Sequence, residues 1–414
     1  MRKTIVIVDP RSSGKELAPA FNKMGYDCIA VTFKPLRERF GFATEINSSD
    51  FKEIIQYQEG IESRLARYNP VAVFAGAEKG VPLAEKLSKA LTPAYSNDHS
   101  PIEDRLNKYQ MQRAVKNAGL PFLKTLEATS LDEAEKWLSD TELIDQSFIL
   151  KPPVSAGSEK VFHIRDGKNW KGTFNEILDS FSNMTGLKNR SVIIQEEAIG
   201  QEFSVGTVSA GGKHYLGHLI KYNKVKYNGR ETVYDHVEFV DPVDHKELID
   251  FTYKVLDSLG LKWGACHNEV MMTKDGPRLI ESVPRMTGGP VVGFARQATG
   301  SSQADKLVEA VRYGDVKSQE YTLNHCLVPV FISSPMSGTV KNIEVFDHVS
   351  SLETFFQNHL WVKNGDQVEQ TVDYLTTLGI IALSGDRESV FRDFKKIRSM
   401  ESQLEIEKIR MGAK

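Results

Sequence analysis

The chain has 414 residues, of which 40% are hydrophobic and 26% charged, and its formal net charge at pH 7 is −3. This composition is typical of a globular enzyme, and the chain is too long for a single hydrophobic core, so we expect two or three domains. The balanced charge excludes an electrostatic basis for nucleic-acid binding, and no apolar run approaches the roughly 20 residues that cross a bilayer.

The amino terminus and the cysteines predict the compartment. The first apolar run, residues 4–8, is too short for the hydrophobic region of a signal peptide and predicts a strand instead. Cys28, Cys266 and Cys326 are too few and too widely spaced for a disulfide framework or a zinc site. We therefore expect a cytoplasmic protein that binds neither membranes nor nucleic acid.

Residues 1–103 alternate between apolar strands and amphipathic helices. Strands are predicted at residues 4–8, 28–32 and 71–75, and helices at 14–24 and 83–91. Such alternation is typical of a Rossmann-like parallel sheet with helices on its faces, which binds ligands at the carboxyl ends of its strands. The predicted fold class is therefore α/β.

A second segment, residues 104–315, begins with a helix predicted at 105–118 and terminated by Gly119. Further apolar runs predict strands at residues 148–151, 192–195, 203–208 and 215–220, and a helix is predicted at 247–259. The polar stretch 222–231 predicts a loop. A third segment, residues 316–414, is rich in predicted strands and then helical.

Lys151 closes the strand predicted at 148–151 and precedes the small residues Ser155, Gly157 and Ser158. Small side chains let backbone N–H groups approach phosphate oxygens, and a lysine at the end of a strand supplies a positive charge. Taken alone, Lys151 is equally consistent with a solvated lysine. Lys108, on the predicted helix 105–118, taken alone predicts a solvated helical face.

A polar bend separates the strands predicted at 192–195 and 203–208. Its residues are Gln195, Glu196, Glu197 and Ala198, followed after a glycine by Glu202. The backbone of such a bend can bind the edge of adenine, and a carboxylate can accept hydrogen bonds from ribose hydroxyls. A charged hairpin without a ligand is the alternative interpretation of this segment.

Two glutamates interrupt apolar strands on either side of a predicted turn, residues 274–276. Antiparallel strands joined at this turn would bring Glu269 and Glu281 to one sheet. Their oxygens suit Mg²⁺ that is bound to nucleotide phosphates. A buried, unpaired carboxylate is costly, so such placements indicate a metal or another cationic partner.

Arg285 follows Glu281 by four residues and can bind a phosphate or a carboxylate, and Gly288 and Gly289 add backbone N–H groups for an anion. The order of these features resembles the ATP-grasp superfamily: the two lysines, the polar bend, the two glutamates, this arginine and the paired glycines. The resemblance covers roughly residues 1 to 400. Within that superfamily, the sequence from Glu281 to Arg285 is most similar to the bacterial L-amino-acid ligases.

The resemblance implies an ATP-grasp fold with a Rossmann-like domain at 1–103, a central domain at 104–315 that includes a nucleotide lid at about 122–200, and a lid-like α/β segment at 316–414. It implies that a set of residues contacts ATP: Lys108, Lys151, Ser155, Gly157, Ser158, Gln195, Glu196, Glu197, Ala198 and Glu202. Glu269 and Glu281 would bind Mg²⁺, with Mn²⁺ as an alternative. Val283 departs from the family, because many relatives carry asparagine there as a third metal ligand.

The implied reaction joins a carboxylate to an amine through an acyl phosphate and releases ADP and phosphate. Arg285, Gly288 and Gly289 would stabilise the acyl phosphate and the oxyanion. His236 is a candidate for substrate contact or proton transfer, and a structural histidine is an equal alternative. His214, His218 and His267 are predicted to be structural. The resemblance favours two L-amino acids as small-molecule substrates joined into a dipeptide, and by analogy a homodimer.

Two alternative functions stay open at this point. A purine-biosynthetic or biotin-carboxylase-like enzyme would share the fold, although residues 75–100 lack a basic cluster for a ribose phosphate. A non-catalytic, nucleotide-binding regulatory protein would explain Val283. It would not explain why both lysines, both glutamates and the arginine are retained.

Overall fold

A computed structural model of the chain describes residues 2–33, 46–100, 102–153, 160–181, 188–227, 230–318 and 321–408. The chain divides into two compact units. The first comprises Met1–Leu219, Pro242–Gly293 and Ser301–Tyr321, and the second comprises Ile220–Asp241, Phe294–Gly300 and Thr322–Lys414. Within the described ranges, every helix is too short or too polar to traverse a bilayer.

The first unit begins with four strands and three helices: β1 (Thr4–Val8), α1 (Leu17–Lys23), β2 (Asp27–Thr32), β3 (Glu53–Gln56), α2 (Glu62–Ala66), β4 (Pro70–Ala75) and α3 (Val81–Leu91). The strands form a parallel sheet in the order β3-β2-β1-β4. Strand β1 is buried along its whole length, as a central parallel strand covered on both faces should be. The predicted α/β architecture is confirmed, and β3 is an additional strand whose short, half-polar sequence gave no signal.

The next elements of the first unit are α4 (Ile102–Leu106), α5 (Lys108–Asn117), β5 (Thr125–Ala128), α6 (Leu131–Asp140), β6 (Phe148–Lys151), β7 (Phe162–Ile164), α7 (Trp170–Ile177) and β8 (Val192–Glu196). The strands form an antiparallel sheet in the order β5-β8-β6-β7. The single helix predicted at 105–118 is two helices. Asn107 is extended and its side chain accepts hydrogen bonds from the N–H groups of Tyr109 and Gln110, so it caps α5.

The next strands in chain order are β9 (Gly200–Ala210), β10 (Lys213–Tyr227), β11 (Arg230–Phe239), β12 (Gly264–Thr273) and β13 (Gly276–Val283). Helices α8 (Lys246–Ser258), α9 (Val291–Thr299) and α10 (Gln303–Tyr313) accompany these strands. In the first unit the strand order is β13-β12-β9-β10. The loop predicted at 222–231 is wrong, because β10 and β11 pair there, for example Tyr222 with Val237. Ladder hydrogen bonds stabilise strands whatever their polarity, so composition did not reveal this hairpin.

The second unit continues from the end of β10 through β11 and adds β14 (Cys326–Ile332), β15 (Gly338–Val340), β16 (Phe355–Leu360), β17 (Gln367–Val368), β18 (Gly379–Gly385), α11 (Arg387–Glu401) and β19 (Ile406–Glu407). Its larger sheet has the order β10-β11-β14-β18-β16, and a small sheet has the order β17-β15-β19. Val328, Val330 and Ile381 pack with Val390 and Ile397 of α11 to form its core.

Candidate active site

Strands β12 and β13 form a hairpin whose register sets Glu269 directly opposite Glu281. At the turn, Gly276 has a φ of +90°, which glycine adopts without strain. Both carboxylates therefore lie on one sheet, as the predicted turn requires. Like charges directly opposite each other on neighbouring strands repel, so this pair is stabilised by any cation that binds beside it.

Lys108 is one such cation. It is the first residue of α5, and its Nζ lies 2.8 Å from Oε1 of Glu281. Lys108 is 7% exposed, which excludes the interpretation as a solvated helical lysine. Burial alone would lower the pKa of Lys108, but the carboxylates of Glu281 and Glu78 outweigh it and raise that pKa. Burial raises the pKa of Glu281 against the opposing charge of Lys108, and Glu78 and Glu269 raise it further.

Lys151 ends strand β6 inside the protein. Its side chain is 5% exposed, and its Nζ donates to Oε1 of Gln195 at 2.8 Å on the neighbouring strand β8. The Gln195 amide in turn donates to Thr125 Oγ1 at 3.0 Å. Burial, followed by the charge of Lys108, lowers the pKa of Lys151 to about 8. The two predicted phosphate-binding lysines therefore lie close enough to influence each other.

The polar bend after β8 is held by its own ion pairs. Glu197 accepts from Arg165 at 2.6 Å and lies 2.8 Å from His163 Nδ1. Glu196 accepts from the Lys124 backbone N–H at 3.0 Å. Ala198 lies between β8 and β9. These contacts fix the bend and leave its role in adenine binding a prediction.

Glu202, the proposed ribose ligand, lies on β9 opposite Met271 of β12. Its negative charge raises the pKa of Lys151 against the effect of burial, so it belongs to the same charged region. The remaining predicted ATP contacts, Ser155, Gly157 and Ser158, lie outside the described residues.

Arg285 is the third cation of this region. Its guanidinium donates to Oε2 of Glu78 at 2.7 Å and to the Met286 carbonyl at 2.9 Å. Burial alone would lower the pKa of Arg285, but Glu78, Glu281 and Glu269 raise it. Glu78 follows β4 at the carboxyl edge of the parallel sheet, and its contact with Arg285 was not predicted from the sequence. Its position after an apolar parallel strand was the available signal, because ligand crevices form at that edge.

The segment from Thr287 to Gly289, which contains the paired glycines, is anchored at both ends. The Thr287 N–H donates to Oε1 of Gln303 at 2.9 Å, and the Gly289 N–H donates to Ser12 Oγ at 2.9 Å. One of the two predicted anion-binding donors is therefore engaged by a side chain of the protein. The N–H of Gly288 remains the proposed donor for an oxyanion.

The two facing carboxylates have the chemistry of magnesium ligands. The described part of the chain contains no group of three or more His, Cys, Asp or Glu side chains placed to hold a metal. Mg²⁺ at nucleotide sites usually takes one or two protein carboxylates and completes its shell with phosphate oxygens and water. Glu269 and Glu281, in register on adjacent strands, fit that donor set.

Comparisons with known proteins identify the family. A model of the ATP-grasp domain matches residues 144–293. Dapdiamide A synthase from Enterobacter agglomerans is 30% identical, and the alignment covers 97% of this chain and 97% of the synthase. The chain belongs to the ATP-grasp ligases. As a member of this family the protein uses ATP.

Solved structures show the same ATP-grasp fold. The L-amino acid ligase from Bacillus licheniformis superposes with a TM-score of 0.73 at 16% identity, over 99% of both chains. N5-carboxyaminoimidazole synthetase from Staphylococcus aureus, complexed with ADP, has a TM-score of 0.70 at 14% identity, over 97% of this chain and 98% of that one. The predicted ATP-grasp fold is confirmed.

Val283, which departs from the ATP-grasp pattern, has a packing role. It is 7% exposed and lies in a hydrophobic cluster with Val8, Ile29 and Val81 on one face of the parallel sheet. An asparagine at this position would bury a polar amide among aliphatic side chains. Val283 therefore packs in the core and offers no ligand for a metal.

His236 lies in the second unit, where it is surrounded by charges. Its Nδ1 lies 2.6 Å from Asp235 Oδ2 and its Nε2 lies 3.5 Å from Glu238 Oε1. Burial alone would lower the pKa of His236, but these two carboxylates raise it. These contacts are compatible with both interpretations of His236, and its catalytic role stays a prediction.

Proposed function

We propose that this ATP-grasp ligase joins two amino acids, activating the carboxylate of one with ATP and forming an amide bond with the amine of the other. The cross-strand pair of Glu269 and Glu281, with Lys108 bound to Glu281, is the observation that carries the proposal. Similarity to proteins named dapdiamide A synthase and L-amino acid ligase supports this substrate class.

In the first step, a carboxylate oxygen of the donor amino acid attacks the γ-phosphorus of ATP. The bond between that phosphorus and the β,γ-bridging oxygen breaks, and ADP leaves with the electron pair. This transfer needs alignment and charge neutralisation more than covalent help. Lys151 supplies positive charge to the phosphates, and Lys108 holds the Glu281 carboxylate in place. Mg²⁺ bound to Glu269 and Glu281 would neutralise phosphate charge.

In the second step, the amine nitrogen attacks the carbonyl carbon of the acyl phosphate. The bond from that carbon to the phosphate oxygen breaks, phosphate leaves, and the amine loses a proton to a base. Arg285 stabilises the oxyanion and the departing phosphate, assisted by the Gly288 N–H. Glu78 orients the Arg285 guanidinium through their 2.7 Å contact.

His236 is the second residue that the sequence predicts to be catalytic. Its two ring nitrogens face the carboxylates of Asp235 and Glu238, which raise its pKa. Because these contacts are made within the second unit, we favour the structural interpretation of His236 over substrate contact or proton transfer.

The test is a substrate panel in which released ADP is measured and products are identified by mass spectrometry. All pairs of L-amino acids are compared with bicarbonate and with an aminoribonucleotide, and Glu281→Gln serves as the inactive control. Turnover that requires two amino acids and yields a dipeptide supports the proposal. Turnover with bicarbonate or the aminoribonucleotide alone would contradict it, and ATP binding without turnover across the panel would indicate a regulatory protein.

We also propose a cytoplasmic location and a homodimer. All three cysteines are free, and two of them are buried, as is usual for proteins in a reducing compartment. The homodimer rests on analogy with the family and is tested by light scattering of the purified protein. A monomeric mass at working concentration would contradict it.

A further inference from the structure

Two buried histidines of the first unit share a single hydroxyl group. His218 on β10 is 1% exposed and His267 on β12 is 7% exposed. Oγ1 of Thr287 lies 3.0 Å from Nε2 of His218 and 3.0 Å from Nδ1 of His267. The other ring nitrogen of His267 lies 3.3 Å from Oε1 of Glu269. A continuous chain of polar contacts thus runs from the interior to a proposed metal ligand.

The chemistry of Glu269 sets the direction of its contact with His267. A carboxylate only accepts hydrogen bonds, so Nε2 of His267 must donate to it. Nδ1 of His267 faces two hydroxyl groups, that of Thr287 at 3.0 Å and that of Ser204 at 3.2 Å. The Thr287 oxygen also lies 3.0 Å from Nε2 of His218. Burial, with the nearby His267, lowers the pKa of His218 to about 3, so that ring is neutral.

Neighbouring residues fix the positions of His218 and Thr287. Gly206 of β9 faces His218, and a Cβ at this glycine would lie 2.0 Å from the ring Cε1. The missing side chain therefore creates the space that the imidazole fills. Gln303 fixes Thr287 by accepting from its N–H at 2.9 Å, and the same side chain donates to the carbonyls of Thr207 and Cys266.

We propose that His267 is a positioning residue that orients the Glu269 carboxylate for metal binding. Thr287 and His218, on the other side of the ring, hold His267 in place. The inference rests on the proposed metal role of Glu269. The shared hydroxyl also belongs to the residue that precedes Gly288, the proposed oxyanion donor. This series of polar contacts therefore couples the position of the proposed metal ligand to that of the proposed oxyanion-binding segment. Neither histidine is merely a packing residue of the core.

Metal affinity is the property that this arrangement should control. Groups that orient a metal ligand typically contribute ten- to a hundredfold to metal affinity, about the range expected here. A purely structural role would lower the melting temperature without a selective loss of metal binding. The two roles can therefore be separated by measuring both quantities in matched variants.

The experiment measures Mn²⁺ binding to the full-length protein with a non-hydrolysable ATP analogue, using the electron paramagnetic resonance signal of free Mn²⁺. Thr287→Val removes the hydroxyl at constant shape, and Thr287→Ser keeps it. His267→Asn removes the donor to Glu269, and His267→Gln keeps an N–H near the position of Nε2. We expect Thr287→Val and His267→Asn to weaken Mn²⁺ binding by about ten- to a hundredfold, and the conservative variants to stay within about threefold.

A second measurement tests the hydrogen-bond donor to Glu269 without any metal. Correlation spectra of ¹⁵N-labelled histidine in the protein alone should show a proton on Nε2 of His267. A His267 ring without a proton on Nε2 would overturn the inference. Gly206→Ala, which displaces the His218 ring, should change the His267 signals.

The outcomes separate this inference from the proposed function. If the wild type binds Mn²⁺ tightly and Thr287→Val binds it equally well, the positioning role is wrong and the proposed function stands. Equal losses in the valine and serine variants, accompanied by lower melting temperatures, would also overturn it. A wild type that binds no Mn²⁺ with the nucleotide analogue would contradict the metal site itself.

Discussion

Each unit contains a buried cluster of carboxylates, and the two clusters differ in how they are neutralised. In the second unit, Glu238 accepts from Arg387 at 2.7 Å and from Asn223 at 3.1 Å. The hydrogen bond with His236 is the main reason that the pKa of Glu238 is lowered to about 2. In the first unit, Glu281 is paired with Lys108, faces Glu269 across the sheet, and has a raised pKa because of its burial.

This contrast supports our proposal that the cluster in the first unit binds a cation and that the cluster in the second unit is structural. The chain itself supplies the cationic partners of Glu238, so that carboxylate is already stabilised in its charged form. Glu281 and Glu269 face each other across the sheet, where like charges repel. A carboxylate with a raised pKa gains most from an added cation, because the cation favours the ionised form. Substitutions in the two clusters should therefore have different consequences.

The largest effect is expected for Glu281→Gln. Loss of this carboxylate removes a proposed metal ligand and an ion pair with Lys108, so turnover should fall by about a thousandfold, the upper range for removal of one electrostatic contribution to catalysis. The protein should remain folded, because the substitution also removes the repulsion between facing carboxylates. ADP release and the melting temperature measure the two quantities.

Glu238→Gln is the matched substitution in the second unit. It weakens bonds that stabilise the folded chain, at a cost of about 1–3 kcal/mol in the free energy of unfolding. The melting temperature should fall, and the Mg²⁺ concentration for half-maximal activity should not change. If Glu238→Gln altered the Mg²⁺ dependence as strongly as Glu281→Gln, the distinction between the clusters would be lost.

Arg285→Lys should lower kcat by about a hundredfold, the scale for loss of one oxyanion-stabilising donor. Lysine keeps the charge but not the planar, two-pronged geometry that binds phosphate and Glu78 together. KM for ATP should change much less, because the proposed role of the arginine is to stabilise the acyl phosphate. A variant with normal kcat and a raised KM for ATP would place Arg285 at the nucleotide instead.

Glu78→Gln should have a smaller effect, about tenfold on kcat, because it leaves the guanidinium in place but weakens its orientation. Gln keeps one hydrogen-bond acceptor for Arg285 and removes the charge that raises the arginine's pKa. Steady-state kinetics with Glu53→Gln as a control makes the comparison, since Glu53 pairs with Arg64 elsewhere in the first unit. Equal activity of the two variants would show that Glu78 has no role in the site.

The smallest effect is a pH dependence of ATP binding. Lys151 has a pKa lowered to about 8, mainly by burial, so it is charged below that pH and loses its charge as the pH rises. The apparent affinity for ATP should fall several-fold between pH 8 and about pH 9.5. Arginine does not titrate in this range, so Lys151→Arg should show a flat profile, and an unchanged slope in that variant would contradict the assignment.

The elements predicted from the sequence were those with strong local signals. Thr4–Val8 and Phe148–Lys151 match the predicted strands, because continuous apolar runs mark buried strands clearly. The β12–β13 hairpin followed from its glycine turn, and with it the placement of Glu269 opposite Glu281. The break at Asn107 was missed, because a capping asparagine within a helical pattern resembles an ordinary polar position.

The contacts that complete the site could not be predicted, because they join residues far apart in the chain. The pairs Lys108–Glu281 and Glu78–Arg285 span 173 and 207 positions, and periodicity carries no information on such distances. His218 and His267 were predicted to be structural for the same reason. Their connection through Thr287 depends on three separate elements and on the space beside Gly206.

The most direct test of the account is a crystal structure of the protein with a non-hydrolysable ATP analogue and Mn²⁺, in which anomalous scattering locates the metal. We expect manganese at about 2.1 Å from carboxylate oxygens of both Glu269 and Glu281, with the phosphates of the nucleotide completing its shell. Nucleotide and metal bound elsewhere, with both carboxylates directed away from them, would contradict the account.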